Sequence, residues 1–360
     1  MAELKTFKLA PGFHRESTQY AEEGKWFDGN RVRFREGKPE NMRGYETRAQ
    51  GDKFDGSARA LLAWKPSNPN VPTAIFGTPE KLYIHEADEL YDITPITTAT
   101  TLTNCFGTSS GEVRVCCSDA AHGRVVGDYV LFTSSAAFNN VSLQGNTYQV
   151  VSVESANVFT INVTTAANAT GSDVGSATFN YYIPTGNSVA AVGLGYSAAR
   201  YQATVCASQT RAWNQPASAS ASGLFLEISQ WSFDNWGDDV VANRKGGGLF
   251  YYDSDASTEP VRATSVTTSP VSTNSIIVSP NDRHLICLGT NRFEATATVS
   301  GTFDPMLVRW SDQDDRTEWN PTALTDSGEV VLTDGTRIVG AVRGRNAINI
   351  WTDNALWLRS

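Results

Sequence analysis

The sequence has no apolar stretch approaching the ~20 residues a membrane-spanning helix needs, and its opening, Met1-Ala2-Glu3-Leu4-Lys5, has no apolar signal core. Synthesis and folding in a cytosol are therefore expected. Cations are in deficit: 29 Lys and Arg stand against 38 Asp and Glu, giving a formal charge of −9. Tight nonspecific binding to nucleic acid needs Lys and Arg in excess to displace counterions, so DNA near this protein would be tolerated rather than gripped. Histidine is scarce, and His14, His85, His122 and His284 stand isolated, with no HxxxH, HExxH or Cys partner to support zinc chemistry. The five cysteines, Cys105, Cys116, Cys117, Cys206 and Cys287, are odd in number, and the adjacent pair lacks the CxxC spacing of zinc chelation or thiol exchange. Buried or half-buried free thiols in a reducing compartment are expected. Lys245-Gly246-Gly247-Gly248 lacks the strand, loop and helix context of a phosphate cradle, and Ser109-Ser110-Gly111 builds no nucleophile elbow. No metal and no cofactor is expected.

Long runs of 3.6-residue periodicity are also missing, while Thr, Ser, Val, Asn and Gly crowd the chain. The expected class is all-β. What is present is a recurring hairpin. Residues Ala74 to Ile84 read as strand, tight turn, strand, and Ile348 to Leu358 repeat the pattern, with Thr, three turn residues, then Leu, an aromatic and an aliphatic. Looser copies lie at Ala242 to Tyr252 and Ile286 to Phe293. Short hairpins with periodic Gly and aromatics mark β-propeller blades, each of which buries its faces only against neighbours. With 360 residues, 40% hydrophobic, the chain should divide into more than one domain with real cores.

Four segments are expected: an N-terminal platform over 1–57, a first blade over 58–99, an inserted β domain over 100–186, and remaining blades over 187–360. The insertion is rich in Ser, Thr, Ala, Asn and Val and almost free of Lys. Strands are expected at Val126–Phe132, Asn146–Val153 and Asn157–Val163, forming a small antiparallel barrel or sandwich on the exterior. Gln215 to Gly223 reads as an exposed, mobile loop. Gly223 to Ser232 and Pro305 to Asp312 share a strand ending in Trp-Ser before an acidic turn, each followed by a second Trp. Trp64, Trp231, Trp310, Trp319, Trp351 and Trp357 are expected to pack between blades rather than to stack on carbohydrate.

In Asn30-Arg31-Val32-Arg33-Phe34-Arg35, strict alternation places three Arg on one strand face and Val32 and Phe34 on the other. Two readings stand: an edge strand kept from aberrant pairing by its cations, or a subunit-contact face using bidentate pairing with carboxylates. Asp312, Asp314, Asp315, Glu318 and Asp326 cluster in sequence. They read as a solvated turn capping strand ends, or as a source of the paired carboxylates of a propeller glycoside hydrolase.

The run Leu9-Ala10-Pro11-Gly12, then Trp26 through Glu40, then Gly44-Tyr45, is similar to the opening of the tail nozzle, or head-stabilisation, proteins of short-tailed bacteriophages. The stretch Arg309 to Pro321 also resembles the propeller part of those proteins. The resemblance covers roughly residues 9–95 and 190–360 and leaves the insertion outside. It implies a non-enzymatic nozzle subunit in the virion tail. Six copies would ring the genome channel below the portal and adaptor, with a tail spike, fibre or needle as further partners, and DNA would slide past an acidic wall. Arg31, Arg33 and Arg35, with Trp26, would form the subunit or adaptor surface. Two alternatives remain, a host-surface adhesion or receptor-binding module carried by the Thr- and Asn-rich insertion, and the hydrolase. Three or four hairpin units do not close a propeller comfortably, so either the chain is a piece of a longer one or the segment Ala58 to Ile93 completes the ring.

Overall fold

The computed structural model describes residues 10–16, 18, 20–21, 24–42, 53–68, 70–185, 229–257, 259–266, 268–294, 301–345 and 347–359. Among them the fold is all-β and contains no helix. The expected features at Leu9, Gly44-Tyr45, Cys206, the Gln215–Gly223 loop and most of the 224–232 strand lie outside the described residues. The chain forms two compact units, Met1–Gly51 and Asp52–Ser360.

In the first unit, β1 (Ala10–Phe13) pairs with β2 (Lys25–Trp26), and β3 (Val32–Arg35) pairs antiparallel with β4 (Lys38–Asn41). Glu36 and Gly37, at φ 50° and 79°, make the two-residue turn whose twist suits a hairpin. Val32 and Phe34 lie half-buried on one face of β3, and Phe34 meets Phe13 and Trp26 edge-on at 5.3 and 6.2 Å. These rings are what a unit this small has for a core.

The second unit begins with blade 1, a meander of β5 (Ala60–Trp64), β6 (Thr73–Gly77), β7 (Leu82–Glu86) and β8 (Glu89–Asp92). A barrel follows, built from β9 (Thr100–Thr108), β10 (Arg114–Ser118), β11 (Tyr129–Ser135), β12 (Thr147–Ser155), β13 (Val158–Asn162) and β14 (Gly171–Tyr181). Blade 2 comprises β15 (Trp231–Trp236), β16 (Asp239–Arg244), β17 (Leu249–Tyr252) and β18 (Thr264–Ser265). Blade 3 comprises β19 (Thr273–Val278), β20 (Leu285–Asn291), β21 (Phe303–Trp310) and β22 (Gly328–Val331). Blade 4 has three strands, β23 (Ile338–Arg343), β24 (Ile348–Thr352) and β25 (Leu356–Arg359). The first strands of neighbouring blades lie side by side, β5 by β15, β15 by β19 and β19 by β23, so the sheets radiate from a common inner edge.

The repeated hairpin has a local cause. In the turn of blade 1 the Thr78 hydroxyl accepts the N–H groups of Glu80 and Lys81 at 3.2 and 2.9 Å, and in blade 4 Thr352 accepts those of Asn354 and Ala355 at 3.3 and 2.8 Å. A Thr at the end of the first strand thus satisfies turn donors that no strand can reach. In blade 2 a side chain holds the turn from the acceptor side instead: the Asn243 amide donates to the carbonyls of Gly247 and Gly248.

The barrel closes in the order β10-β13-β12-β11-β14-β9. Alternation sends Phe106, Phe132, Phe159, Phe179, Val115, Val130 and Ile161 inward, all essentially without solvent exposure. Closure leaves no sheet edge to be covered. Gly175, at φ +64°, sits in β14 where an added Cβ would strike the Phe138 ring at 2.7 Å. The expected strand at Val126–Phe132 starts late, because Gly127 at φ +99° makes 126–128 a turn and β11 begins at Tyr129.

Cys105, Cys117 and Cys287 are buried free thiols. Cys116 is instead disulfide-bonded, which corrects the expectation of free thiols throughout. Replacing Phe159 by Ala removes a side chain of 0% exposure from the barrel centre. The expected cost is about 3–5 kcal/mol, read as a lowered denaturation midpoint of the unit.

Candidate functional site

The three junctions between blades follow one scheme. On blade 1, Leu62, Ile75, Leu82 and Ile84 point toward blade 2 and meet Trp231, Val240, Ala242, Phe250 and Tyr252. The opposite face of blade 2, with Trp236, Val241, Leu249 and Tyr251, meets Ile276, Val278, Leu285, Cys287 and Trp319 of blade 3. The far face of blade 3, with Ile277, Ile286, Leu288 and Val308, meets Ile338, Ile348 and Ile350 of blade 4. Each blade therefore packs its forward face on the back face of the next, and both faces of an interior blade must be apolar.

Tryptophans sit at all three junctions, and at the first of them two bond across it through their indole N–H groups. Trp64 donates to Asp238 O across the first junction at 2.8 Å, and Trp231 donates back to Thr78 O at 2.8 Å. Gly77 is required beneath the Trp231 ring, since a Cβ there would collide with it. Trp319, 2% exposed, fills the second junction and donates to Arg316 O, while the Arg316 guanidinium lies 3.5 Å over the Tyr251 ring. Trp310 and Trp357 pack against the third junction, where the Arg359 guanidinium sits 4.1 Å over Trp310. Burial lowers the pKa of Arg359 to about 10.

Two expectations about Trp are corrected. Trp351 does not pack between blades: alternation along β24 turns Ile348 and Ile350 toward blade 3 and leaves Trp351 on the other face, 39% exposed. Trp231 and Trp310 are not equivalent either, since Trp231 starts the first strand of its blade and Trp310 ends the third strand of its own.

The inner strands of neighbouring blades belong to separate sheets and are joined by side chains. Ser232 and Asp234 of β15 accept the N–H groups of Ile276 and Val278 of β19, at 3.2 and 2.6 Å. The other oxygen of Asp234 pairs with Arg343 of β23, whose Nε donates to Val278 O at 2.9 Å. One carboxylate thus ties three blades together at the inner edge.

A second polar network fixes the barrel to the blades. The chain enters and leaves the barrel through an Ile96–Tyr182 bridge, with Thr97 N donating to Tyr181 O at 2.8 Å. Arg262 of blade 2 donates to Thr94 O and to the Tyr182 hydroxyl, both at 2.8 Å, and pairs with Asp92 of blade 1 at 3.3 Å. Lys81 pairs with Asp55 at 2.8 Å and lies 4.8 Å over the Tyr129 ring, while Tyr129 donates to Glu80 at 2.6 Å. Burial, then the bond to Glu80, raises the Tyr129 pKa far above that of a free phenol, so the hydroxyl stays a donor. Sequence reasoning missed this network, whose members come from 55, 80–97, 129, 182 and 262 with no shared motif.

The remaining candidates sort as follows. Arg33 and Arg35 are exposed on β3, and Arg33 pairs with Glu40 across the hairpin at 3.1 Å. Arg31 does not share their strand face: at φ 57° it precedes β3, and its carbonyl accepts Met42 N at 2.6 Å. Trp26 is half-buried against Phe34. Asp312, Asp315 and Glu318 after β21 serve their own loop, and Asp314 reaches the β19–β20 connection. Asp312 accepts Asp326 N at 2.6 Å, Asp315 accepts the N–H and hydroxyl of Thr317 at 2.7 Å each, Glu318 accepts Asn320 N, and Asp314 pairs with Arg283. A further acidic group, Asp239, Asp253 and Asp255 of blade 2, has carboxylate oxygens within 4.8 Å of one another; Tyr251 and Ser254 donate to Asp239. An open cavity of about 520 Å³ lies beside β17, lined by Ile183, Arg244, Gly247, Phe250, Val266 and Val271 among others.

No protein-family model matches the chain, and no curated protein matches it. Among solved structures, the chain is similar to the phage phi92 endosialidase, with 15% identity and a TM-score of 0.24 over 87% of this chain. The match spans 43% of that chain's length, less than half of it. A likeness of this degree carries no argument about activity.

Two outcomes are expected. Replacing Asp234 by Ala leaves the Val278 N–H without its acceptor and the Arg343 guanidinium without its carboxylate, so stability should fall by about 1–3 kcal/mol in denaturant titration. Hydrogen bonds from the Thr317 side chain and backbone lower the Asp315 pKa. Its contribution is therefore present above the ordinary carboxylate pKa and is lost as pH falls through the lowered value. Amide exchange at Thr317 should accelerate in that acid range beyond the intrinsic rate change, and Asp315→Asn should show the faster exchange already at neutral pH.

Proposed function

We propose that this protein is a wall-building subunit of a short-tailed phage tail nozzle, without catalysis of its own. Six copies would surround the genome channel below the portal and adaptor, with a tail spike, fibre or needle beyond, assembled in the host cytoplasm. The observation that carries the reading is the commitment of the polar and aromatic side chains to joining one sheet to the next. Asp234, Arg343, Trp64, Trp231 and Trp319 all bind neighbouring blades or their own loops. The carboxylates around Asp315 are likewise engaged by backbone donors rather than poised toward a shared open point. Such a rigid, multiply fastened wall suits a conduit, and the net charge of −9 disfavours adhesion of the DNA backbone to it. The N-terminal run from Trp26 to Glu40 supports the family assignment by resemblance. Its exposed Arg33 and Arg35 are the proposed contact to the adaptor or a neighbouring subunit, with Trp26 as the packed support beneath Phe34 and Arg31 at the hairpin's entry.

The test is assembly of the full chain, alone and with an adaptor ring, viewed by electron microscopy. Six-fold rings with a central channel are expected, and Arg33→Glu with Arg35→Glu should reduce adaptor binding at least about tenfold, as loss of interfacial charge pairs does. Single chains that never join the adaptor, or turnover of a capsular polysaccharide, would overturn the reading.

A further inference from the structure

The connection from β10 to β11, residues 119–128, is tied to the barrel along its length. Asp119 N and His122 N donate to Asn157 O and Ala156 O of the β12–β13 turn, at 2.9 and 3.2 Å, and Gly127 N donates to Val150 O at 2.9 Å. His122 is buried, 7% exposed, and lies edge-on to the Phe159 ring at 5.1 Å. Both its ring nitrogens are committed, in opposite senses. Arg124 N, which can only donate, lies 2.9 Å from Nδ1, and Ser155 O, which can only accept, lies 3.1 Å from Nε2. The ring is therefore neutral, with its one proton on Nε2. Arg124 holds the same residue a second time, its Nε donating to His122 O at 2.9 Å. Its guanidinium lies 4.8 Å over the Tyr181 ring and reaches Tyr182 O at 3.4 Å. The hydroxyl of Tyr182 is in turn bound to Asp92 and Arg262 in the joint beneath the barrel.

We propose that His122 is an acid-sensitive latch: a second proton on its ring frees the β10–β11 connection and, with it, the hold of Arg124 on the neck at Tyr182. A proton on Nδ1 sets two donors face to face and places a second cation beside the Arg124 guanidinium in a site with little water. The ring can take that proton only by leaving its place. The surrounding groups offer no ready compensation. From its own connection it meets Arg124, with Asp119 and Asp128 nearby, and Asp119 already accepts the Tyr181 hydroxyl at 2.6 Å while Asp128 accepts Val125 N at 3.0 Å. From β12, Glu154 is taken up by the Ser152 hydroxyl at 2.7 Å, and β13 presents the Phe159 ring. A freed imidazole takes a proton near about pH 6.5, whereas the closed arrangement has no room for one on Nδ1. The open form binds more protons, so the latch is shut above that range and opens as pH falls through it. The latch belongs to the barrel and its neck, and it stands or falls apart from the nozzle.

The test is hydrogen exchange of the full chain, read by mass spectrometry on peptides covering 119–128 and corrected for the intrinsic rate. Between about pH 7.5 and about pH 5.5, protection of the connection should fall about tenfold, the change in open population that one such proton drives. Peptides from β13 and β14 should keep their protection over the same range. His122→Asn leaves an amide oxygen to accept the Arg124 N–H and removes the titrating ring, so its protection should change less than about twofold. A nitrogen-15 spectrum of the wild-type histidine rings at neutral pH should show the His122 proton on Nε2. A proton found on Nδ1, or a connection still protected at the acid end, would overturn the latch. Loss of protection in β13 and β14 together with the connection would overturn it too, since the barrel would then be unfolding as a whole. An equal acid response in His122→Asn would place the sensor elsewhere and overturn the role of this ring. Where that variant fails to fold, the wild-type spectrum and exchange decide.

Discussion

The structure of the larger unit depends on a constraint of sheets with two apolar faces. A half-solvated sheet needs one neighbour, whereas blades 2 and 3 direct aliphatic and aromatic residues to both sides and need two. That requirement converts a string of hairpins into an ordered series, because a blade cannot be stable until the sheets before and after it are in place. It also explains the edge chemistry. Where radial sheets converge, backbone donors of one inner strand face side chains of another, and Ser232, Asp234 and Arg343 complete hydrogen bonds that a flat sheet would make through its backbone.

The barrel obeys a different logic in the same chain. Its core is self-contained, its strands close on themselves, and its attachment is polar rather than apolar. Lys81, Arg262, Asp92 and the hydroxyls of Tyr129 and Tyr182 make a joint from charge-assisted bonds and stacked rings. Such a joint fixes orientation with little buried apolar surface, since each bond has a direction and the partners are partly withdrawn from water.

Much of this was legible in the residues, and for physical reasons. The hairpins at Ala74–Ile84 and Ile348–Leu358 were readable because Thr78 and Thr352 perform the same local hydrogen bonding, which is written in neighbouring residues. The insertion was readable as a small antiparallel barrel or sandwich because its alternation and turn residues lie in neighbouring positions, whereas closure into a barrel depends on the distant pairing of β9 with β10 and β14. What could not be read depends on partners distant in sequence. Trp351 looks like Trp357 in the chain, and only the choice of face, set by Ile348 and Ile350, separates them. Arg31 looked like the next member of an alternating strand until its left-handed backbone placed it in the preceding turn. The joint of Lys81 and Arg262 draws on five separate stretches, so no window of sequence contains it. The Asp234 bridge is equally invisible, being a single acidic residue in an ordinary strand.

The neck at Ile96 and Tyr182 has a wider meaning. Because both strands of the connection are zipped together where they leave blade 1, the roughly eighty residues between them form a cassette whose removal changes neither the spacing nor the direction of the chain on either side. A lineage could exchange that cassette for a short turn or for an unrelated module without disturbing the blades beneath. Variation among related chains would then be expected to concentrate on this outgrowth, while the blades drift slowly under the demands of their two neighbours.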